Sequence, residues 1–425
     1  MGDDTPTHNK IDRTGADATK RRRVWVLTEV YYPEEISTGY YLTAIAEGLA
    51  GETDVKVLTG QPKHAARGVK APKREIRNGV EIIRAWDTNL DKNVVLYRLM
   101  NMATIGLSMF WQSIRQFRRG DHVLVVTAPP SLPVTTTVAA LLKGAGLTLL
   151  VQDSYPEILV AVGAVKADSF FVKFVNFFNR FVYKYAANII VMGRDMNELF
   201  KRKTEGLDPS IITIPNWAEL ESVHPTPREQ NPLLDELRIA DKFVFMYAGN
   251  IGHPTDVETI IECAALLEDR PEFHFVFIGA GAKKKWLESE AATRKLTNVT
   301  ILDYRPREDQ IVFLNACDVG LVALIPGMWG TAMPSRTYNI MAVGKPVLAL
   351  TDAGSELARV IDEEQIGWHL PPGDAEALRG TILRVYARRD ELEAFGRRAR
   401  EAALAKYSKT AAVAAYRKVL VPDKG

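Results

Sequence analysis

The segment Met333-Pro334-Ser335-Arg336-Thr337-Tyr338-Asn339 continues into Ile340-Met341-Ala342-Val343-Gly344-Lys345-Pro346-Val347, and its residue types describe a short helix with an open start. Ser335 suits the N-cap, Gly344 the left-handed position past the end, and Pro346 stops continuation. Unpaired amides at such a start suit a diphosphate, and the loop Gly327 to Thr331 lets backbone approach closely. Arg336 adds a planar fork that can take two phosphate oxygens. The same spacing describes a core helix with a surface arginine, and spacing alone leaves both open.

A second glycine pair, Gly279-Ala280-Gly281, follows the strand-like Phe275 to Ile278 and precedes Lys283 to Lys285. These residues can hold phosphate, or they can be an ordinary strand-to-helix turn with solvated lysines. The histidines show no metal-ligand spacing, and no Asp-x-Asp occurs, so no metal site is expected.

These residues sit at the ends of regularly alternating elements. Arg23 to Thr28, Asp54 to Leu58, Val80 to Ile83, Val123 to Thr127, Leu147 to Gln152, Ile189 to Met192 and Ile211 to Ile214 read as buried strands, with helical runs between them. The pattern restarts at Phe243 to Tyr247, followed by the loop Ala248-Gly249-Asn250-Ile251-Gly252. Phe275 to Ile278, Val299 to Leu302, Val319 to Ala323 and Pro346 to Ala349 complete it. The expectation is an α/β protein of two Rossmann-like, doubly wound domains facing across a cleft, where such sheets bind ligands at their carboxyl ends. The divisions are a flexible tail over 1–21, a first domain over 22–218, a linker over 219–240 and a second domain over 241–400. The last helix, Ala402 to Val419 within 401–425, packs back on the first domain.

The chain resembles family 4 of the retaining glycosyltransferases, whose two-domain fold is called GT-B, and among them the transferases of bacterial surface-polysaccharide assembly. The resemblance rests on Tyr31-Tyr32-Pro33-Glu34 with Gly39, Gln152 to Glu157, Ile214-Pro215-Asn216-Trp217, Tyr247 to Gly252 and Pro334 to Val347. These match in order and spacing over roughly residues 23–400. It implies a nucleoside-diphosphate-sugar donor in the second domain, held by Gly249, Asn250, Gly279, Gly281, Lys283, Thr331, Pro334, Ser335, Arg336, Thr337 and Asn339. Ser37, Thr38 and Gly39 are the matching loop of the first domain. The acceptor implied is a lipid-linked sugar; no metal or other cofactor is implied.

Two departures stand out. The family's glutamate pair, with seven residues between its members, falls here on Thr331 and Asn339, so the usual sugar contact is missing at Thr331, while Asn339 can still bond a ribose hydroxyl. The family's arginine and lysine after the first strand of the second domain are replaced by Asn250 and Thr255-Asp256. Asp153 and Glu157 are the candidate catalytic carboxylates; Asp153 matches a position near which the family often has a histidine touching the transferred sugar. Either can instead belong to the start of the next helix, Asp153 as cap and Glu157 as first-turn acid. An epimerase of the same fold, or a silent sugar-nucleotide-binding partner protein, would share most of these features.

Composition bounds the rest. The chain has 425 residues, enough for two domains, with 47% apolar and 25% charged residues, as in a globular protein. A net charge of +2 gives no reason to expect nucleic acid, and Cys263 and Cys317 read as core thiols of a reducing compartment. The opening residues do not read as a secretory signal, so a cytoplasmic location is expected. Val94 to Trp111 and Phe170 to Tyr185 combine aromatic and aliphatic residues with Arg98, Arg115, Arg118, Arg119, Lys173, Arg180 and Lys184. Such helices lie on an anionic membrane surface or simply cover a sheet, and the pair favours peripheral binding at the inner face of the plasma membrane.

Overall fold

Runs rich in Val, Ile and Leu, too apolar for a solvated face, form two parallel sheets. A computed structural model describes residues 23–63, 70–88, 90 and 95–421. The first sheet holds β1 (Arg23–Leu27), β2 (Asp54–Thr59), β3 (Arg74–Arg77), β4 (Val80–Arg84), β5 (His122–Val126), β6 (Gly146–Leu150), β7 (Asn188–Val191) and β8 (Ser210–Thr213). Its order is β3-β4-β2-β1-β5-β6-β7-β8, parallel except for β3. The second holds β9 (Phe243–Ala248), β10 (Phe273–Ile278), β11 (Val299–Leu302), β12 (Val319–Ala323), β13 (Val347–Leu350) and β14 (Gly367–Leu370), ordered β11-β10-β9-β12-β13-β14 and parallel throughout.

Helices α1 (Ser37–Leu49), α2 (Val95–Gln116), α3 (Ser131–Lys143), α4 (Glu157–Ala161), α5 (Phe170–Tyr185) and α6 (Arg194–Lys203) belong to the first half. After α7 (Pro232–Leu237) come α8 (Val257–Ala265), α9 (Lys284–Thr293), α10 (Gln310–Ala316), α11 (Arg336–Ala342), α12 (Glu356–Glu364) and α13 (Ala375–Ala387). The chain closes with α14 (Leu392–Lys406) and α15 (Lys409–Leu420). This is the GT-B arrangement, two parallel-sheet α/β units with a cleft between them.

The two halves share apolar packing. One continuous cluster runs from the first sheet through Ile214, Trp217, Val223 and Leu233 to one face of the second sheet; the other face of that sheet has its own cluster. Polar contacts clamp the junction. Buried Asp195 accepts from the amides of Gly330 (3.1 Å) and Glu356 (3.0 Å), and Arg194 pairs with Glu356 at 2.9 Å.

Several sequence expectations change. The helix expected over Ala402 to Val419 is two helices: Ser408 leaves the helical region and caps α15, accepting from the Ala411 amide. The boundary at 401 therefore falls inside α14. Only α15 lies on α1, where Val413 fills the space beside Gly48. The linker stretch contains α7, capped by Asn231. Ser37, Thr38 and Gly39, expected in a loop, are instead the first turn of α1, which starts at Ser37. Two edge strands went unseen. In β3 only Ile76 is apolar, and it joins β4 through Asn78-Gly79, both at positive φ, while β14 is a four-residue edge strand. The tail over 1–21 lies outside the described residues.

Candidate functional site

Backbone crowding builds the floor of the cleft. The loop after β9 and the loop after β10 interlock: the Gly249 amide donates to the Ile278 carbonyl (2.8 Å) and the Ile251 amide to the Ala280 carbonyl (2.9 Å). A Cβ on Gly279 would stand 1.9 Å from the Gly249 carbonyl oxygen, and φ there is +156°. No side chain fits, so glycine is required at that position.

Arg336, at the start of α11, lies on this floor. Its guanidinium stacks over the Tyr247 ring at 4.2 Å and occupies the space a Cβ on Gly249 would take, 2.7 Å from its central carbon. Its Nη1 is buried with no hydrogen-bond partner. The other two arginines of the cleft are matched with carboxylates, Arg305 with Glu236 (3.0 Å) and Arg307 with Glu219. A buried guanidinium nitrogen without an acceptor is a place for an anion.

The first domain supplies the opposite wall through the first turn of α1. Ser37 Oγ lies 2.9 Å from Ser335 Oγ, and Tyr40 stacks against Arg307 at 3.7 Å. The cleft has a volume of about 780 Å³. Ser37, Thr38, Gly249, Asn250, Gly279, Gly281, Ser335, Arg336 and Asn339 line it, with Glu35, Tyr304, Arg305, Arg307, Gln310 and Phe313.

Other candidates are turned to other work. Ser335 does not cap α11: its backbone is helical, and its hydroxyl meets Ser37 instead. Lys283 Nζ reaches Glu258 (2.8 Å) and the Thr255 carbonyl (2.8 Å), so it does not line the cleft. The amides of Gly327 and Trp329 are taken by Asp352 and that of Gly330 by Asp195, making this loop a domain clamp. Thr331 is buried, with its hydroxyl donated to the Met328 carbonyl at 2.7 Å. Thr337 is buried in the first turn of α11, Pro334 lies in the turn before that helix, and neither lines the cleft. Gly39 is buried in the first turn of α1, where a Cβ would meet the Glu34 carbonyl at 2.4 Å.

The amide of Asn339 is engaged on both sides. Its oxygen accepts from the Glu219 amide (3.0 Å) and its nitrogen donates to Gln310 Oε1 (2.6 Å). It braces the wall and holds Gln310 in place. Glu157 also departs from the catalytic expectation. Both of its oxygens meet Lys203 Nζ, at 2.6 and 2.7 Å, and Ser154 Oγ donates to it at 2.8 Å. Asp153 stands at the junction of the domains, one residue before Ser154, whose amide donates to the Thr331 carbonyl at 2.9 Å. Its carboxylate has no partner among the described residues, and burial pushes its pKa up to about 6.

The sequence model described as "Glycosyl transferases group 1" matches residues 232–402, the part of the chain that carries the floor and Arg336. A Pseudomonas aeruginosa protein whose name describes it as a glycosyltransferase, WbjE, is 33% identical over 382 residues, covering 85% of this chain and 88% of that protein. The chain belongs to the group 1 glycosyl transferases. A second relative of the transferase is WcaI of Escherichia coli (strain K12), named as a colanic acid biosynthesis glycosyl transferase. It is 26% identical over 383 residues, covering 84% of this chain and 94% of the relative. Among solved structures, Anabaena Alr3699/HepE in complex with UDP-glucose superimposes with a TM-score of 0.71 at 14% identity, covering 94% of this chain and 99% of that one. That likeness speaks to the fold.

Sequence reasoning about the transferase missed one wall, Tyr304 to Gln310. The signal was available: Val299 to Leu302 reads as a strand, and Tyr304-Arg305-Pro306-Arg307 follows its carboxyl end, where ligands of parallel sheets bind.

Proposed function

We propose that this transferase binds a nucleoside-diphosphate sugar in the cleft and passes a hexosyl or N-acetylaminosugar unit to a lipid-linked acceptor in surface-polysaccharide assembly. The carrying observation is Arg336, whose buried Nη1 has no partner and lies on a floor of closely packed glycine backbone. A diphosphate oxygen supplies the missing acceptor, and its attraction to Arg336 strengthens as the leaving diphosphate gains charge. The UDP-glucose bound by Alr3699/HepE and the polysaccharide named for WcaI support this reading.

In the transfer, the bond from the anomeric carbon to the β-phosphate oxygen breaks and its electron pair stays on the diphosphate. The acceptor hydroxyl oxygen bonds to the same carbon, and its proton passes to the departing phosphate oxygen. Retention follows the resemblance to family 4. Arg336 supplies positive charge at the diphosphate, so the reading needs no divalent metal. Calorimetric titration of the full chain with UDP and with GDP tests it. Arg336→Ala should weaken the preferred nucleotide about tenfold or more, for a charged hydrogen bond of ~1.5–3 kcal/mol, with unfolding nearly unchanged. Arg336→Lys keeps the charge but loses the planar fork, and should fall between. An unchanged dissociation constant in Arg336→Ala overturns the reading. Labelled sugar nucleotides with and without lipid acceptor, in excess chelator, separate transfer from epimerisation and from silent binding.

The acceptor's lipid is supported by one face of the first domain. Helices α2, α3 and α5 pack side by side, and of sixteen exposed large apolar side chains among the described residues, eleven project from these three. They include Leu142, Phe170 (81% exposed), Phe174 and Phe177 (72%), with Lys143, Lys173 and Lys184 among them. Aromatic insertion beside basic residues suits an anionic bilayer surface, at the cytoplasmic face of the plasma membrane. No helix among the described residues is long and apolar enough to cross a membrane. The triple change of Phe170, Phe174 and Phe177 to serine should release the chain from phosphatidylglycerol vesicles without lowering its melting temperature. Retained binding, or a collapsed melt, counts against this face.

A further inference from the structure

Away from the cleft, Trp86 and one face of α2 enclose an open groove of about 450 Å³, within the range of small-molecule sites. Thr104, Leu107, Ser108, Trp111, Gln112 and Arg115 line it, spaced by three and four residues along the helix. Trp86 stands two residues past β4 and is 69% exposed; Trp111 is 58% exposed. Thr88 and Thr104 hydroxyls, 2.8 Å apart, tie the segment carrying Trp86 to α2.

We infer that this groove is a saccharide-binding site that holds the glycan portion of the acceptor. Two solvent-facing indoles offer flat apolar plates to the C–H faces of pyranose rings. Gln112 and Arg115 have no hydrogen-bond or ion-pair partner among the described residues, so their donors and acceptor are available to ring hydroxyls or an acidic substituent. No carboxylate among the described residues lines the groove, which leaves acidic sugars unopposed by them. Trp111 and Leu107 also belong to the apolar face of α2, placing the groove where a saccharide would emerge from a lipid anchored in the bilayer. Naming that saccharide as the acceptor rests on the proposed function; the groove's affinity for sugar does not.

The test uses the full chain with maltotetraose and tetragalacturonate as probes, read by tryptophan fluorescence and saturation-transfer NMR. Saturable millimolar binding is expected for at least one. Trp86→Ala and Trp111→Ala should each weaken it fivefold or more, Trp86→Phe should restore most of it, and UDP affinity should stay unchanged. Absence of binding to both probes, or binding indifferent to both alanine changes, overturns the site. Loss of vesicle binding alone in those variants makes the tryptophans bilayer anchors and also overturns it. Failure of both UDP and GDP to bind the parent chain is a failure of the cleft reading, with the groove result standing separately.

Discussion

Ser37 and Ser335, 298 residues apart in the chain, bring their hydroxyls within 2.9 Å of each other across the cleft. One opens α1 on the first domain and the other precedes α11 on the second, so the bond exists only with the domains in this arrangement. A double-mutant cycle of Ser37→Ala and Ser335→Ala on nucleotide affinity should give a coupling of about 0.5–1.5 kcal/mol. Additive effects, with coupling near zero, would show that the bond does not hold the donor-binding state.

Gly279→Ala should be among the most damaging single-atom additions to this chain. The new Cβ meets the Gly249 carbonyl at 1.9 Å, and the backbone conformation disfavours any side chain. Overpacking and strain together predict a loss of roughly 3 kcal/mol or more. Gly354→Ala is the control: φ is +72°, but nothing lies within 4 Å, so only about 1 kcal/mol is at stake. Equal melting temperatures for the two variants would refute the crowding argument.

Glu157 is predicted to act on stability. Lys203 lies under the rings of Phe200 and Tyr183, and burial lowers its pKa against the opposing pull of Glu157. Glu157→Gln strands that ammonium and should cost about 2–4 kcal/mol, whereas joint replacement by Glu157→Leu and Lys203→Met should recover much of it. Turnover below the melting range should change less than twofold. A large fall in kcat with an unchanged melt would return Glu157 to the chemistry.

Asp153 carries a pH signature. Its folded pKa, raised by burial to about 6, exceeds the unfolded value of ~3.9. The fold therefore favours the protonated carboxyl. That stabilisation is fully present below about pH 4, is lost as pH rises to ~6, and stays absent above. Asp153→Asn, neutral throughout, should be more stable than the parent at pH 7.5, by up to about 3 kcal/mol, with the difference vanishing near pH 4. A pH-independent difference would mean the carboxylate is not held in its raised state. If its negative charge assists the sugar, the same variant loses turnover at pH 7.5 while gaining stability.

What the amino-acid order determined by itself is local. Runs such as Val123–Val126 and Phe273–Ile278 must be buried strands, because such apolar backbone is stable only when paired and covered on both faces. Glycines after Phe243–Ala248 and Phe273–Ile278, and an arginine at the start of the helix after Pro334, were enough to pick out the residues that floor the cleft. Where a residue's role depends on which partner arrives from far along the chain, sequence was silent. Asn339 is braced by Glu219, 120 residues away, Lys283 is drawn to Glu258, and Glu157 is held by Lys203. Phe170 and Phe177 were equally legible as core or surface, since an amphipathic helix has the same period either way; packing of α5 against α3 left them facing out. Hydrogen bonds and ion pairs act over a few ångströms, so tertiary folding alone decided which of the polar candidates, among them Arg336, kept a free valence for a ligand.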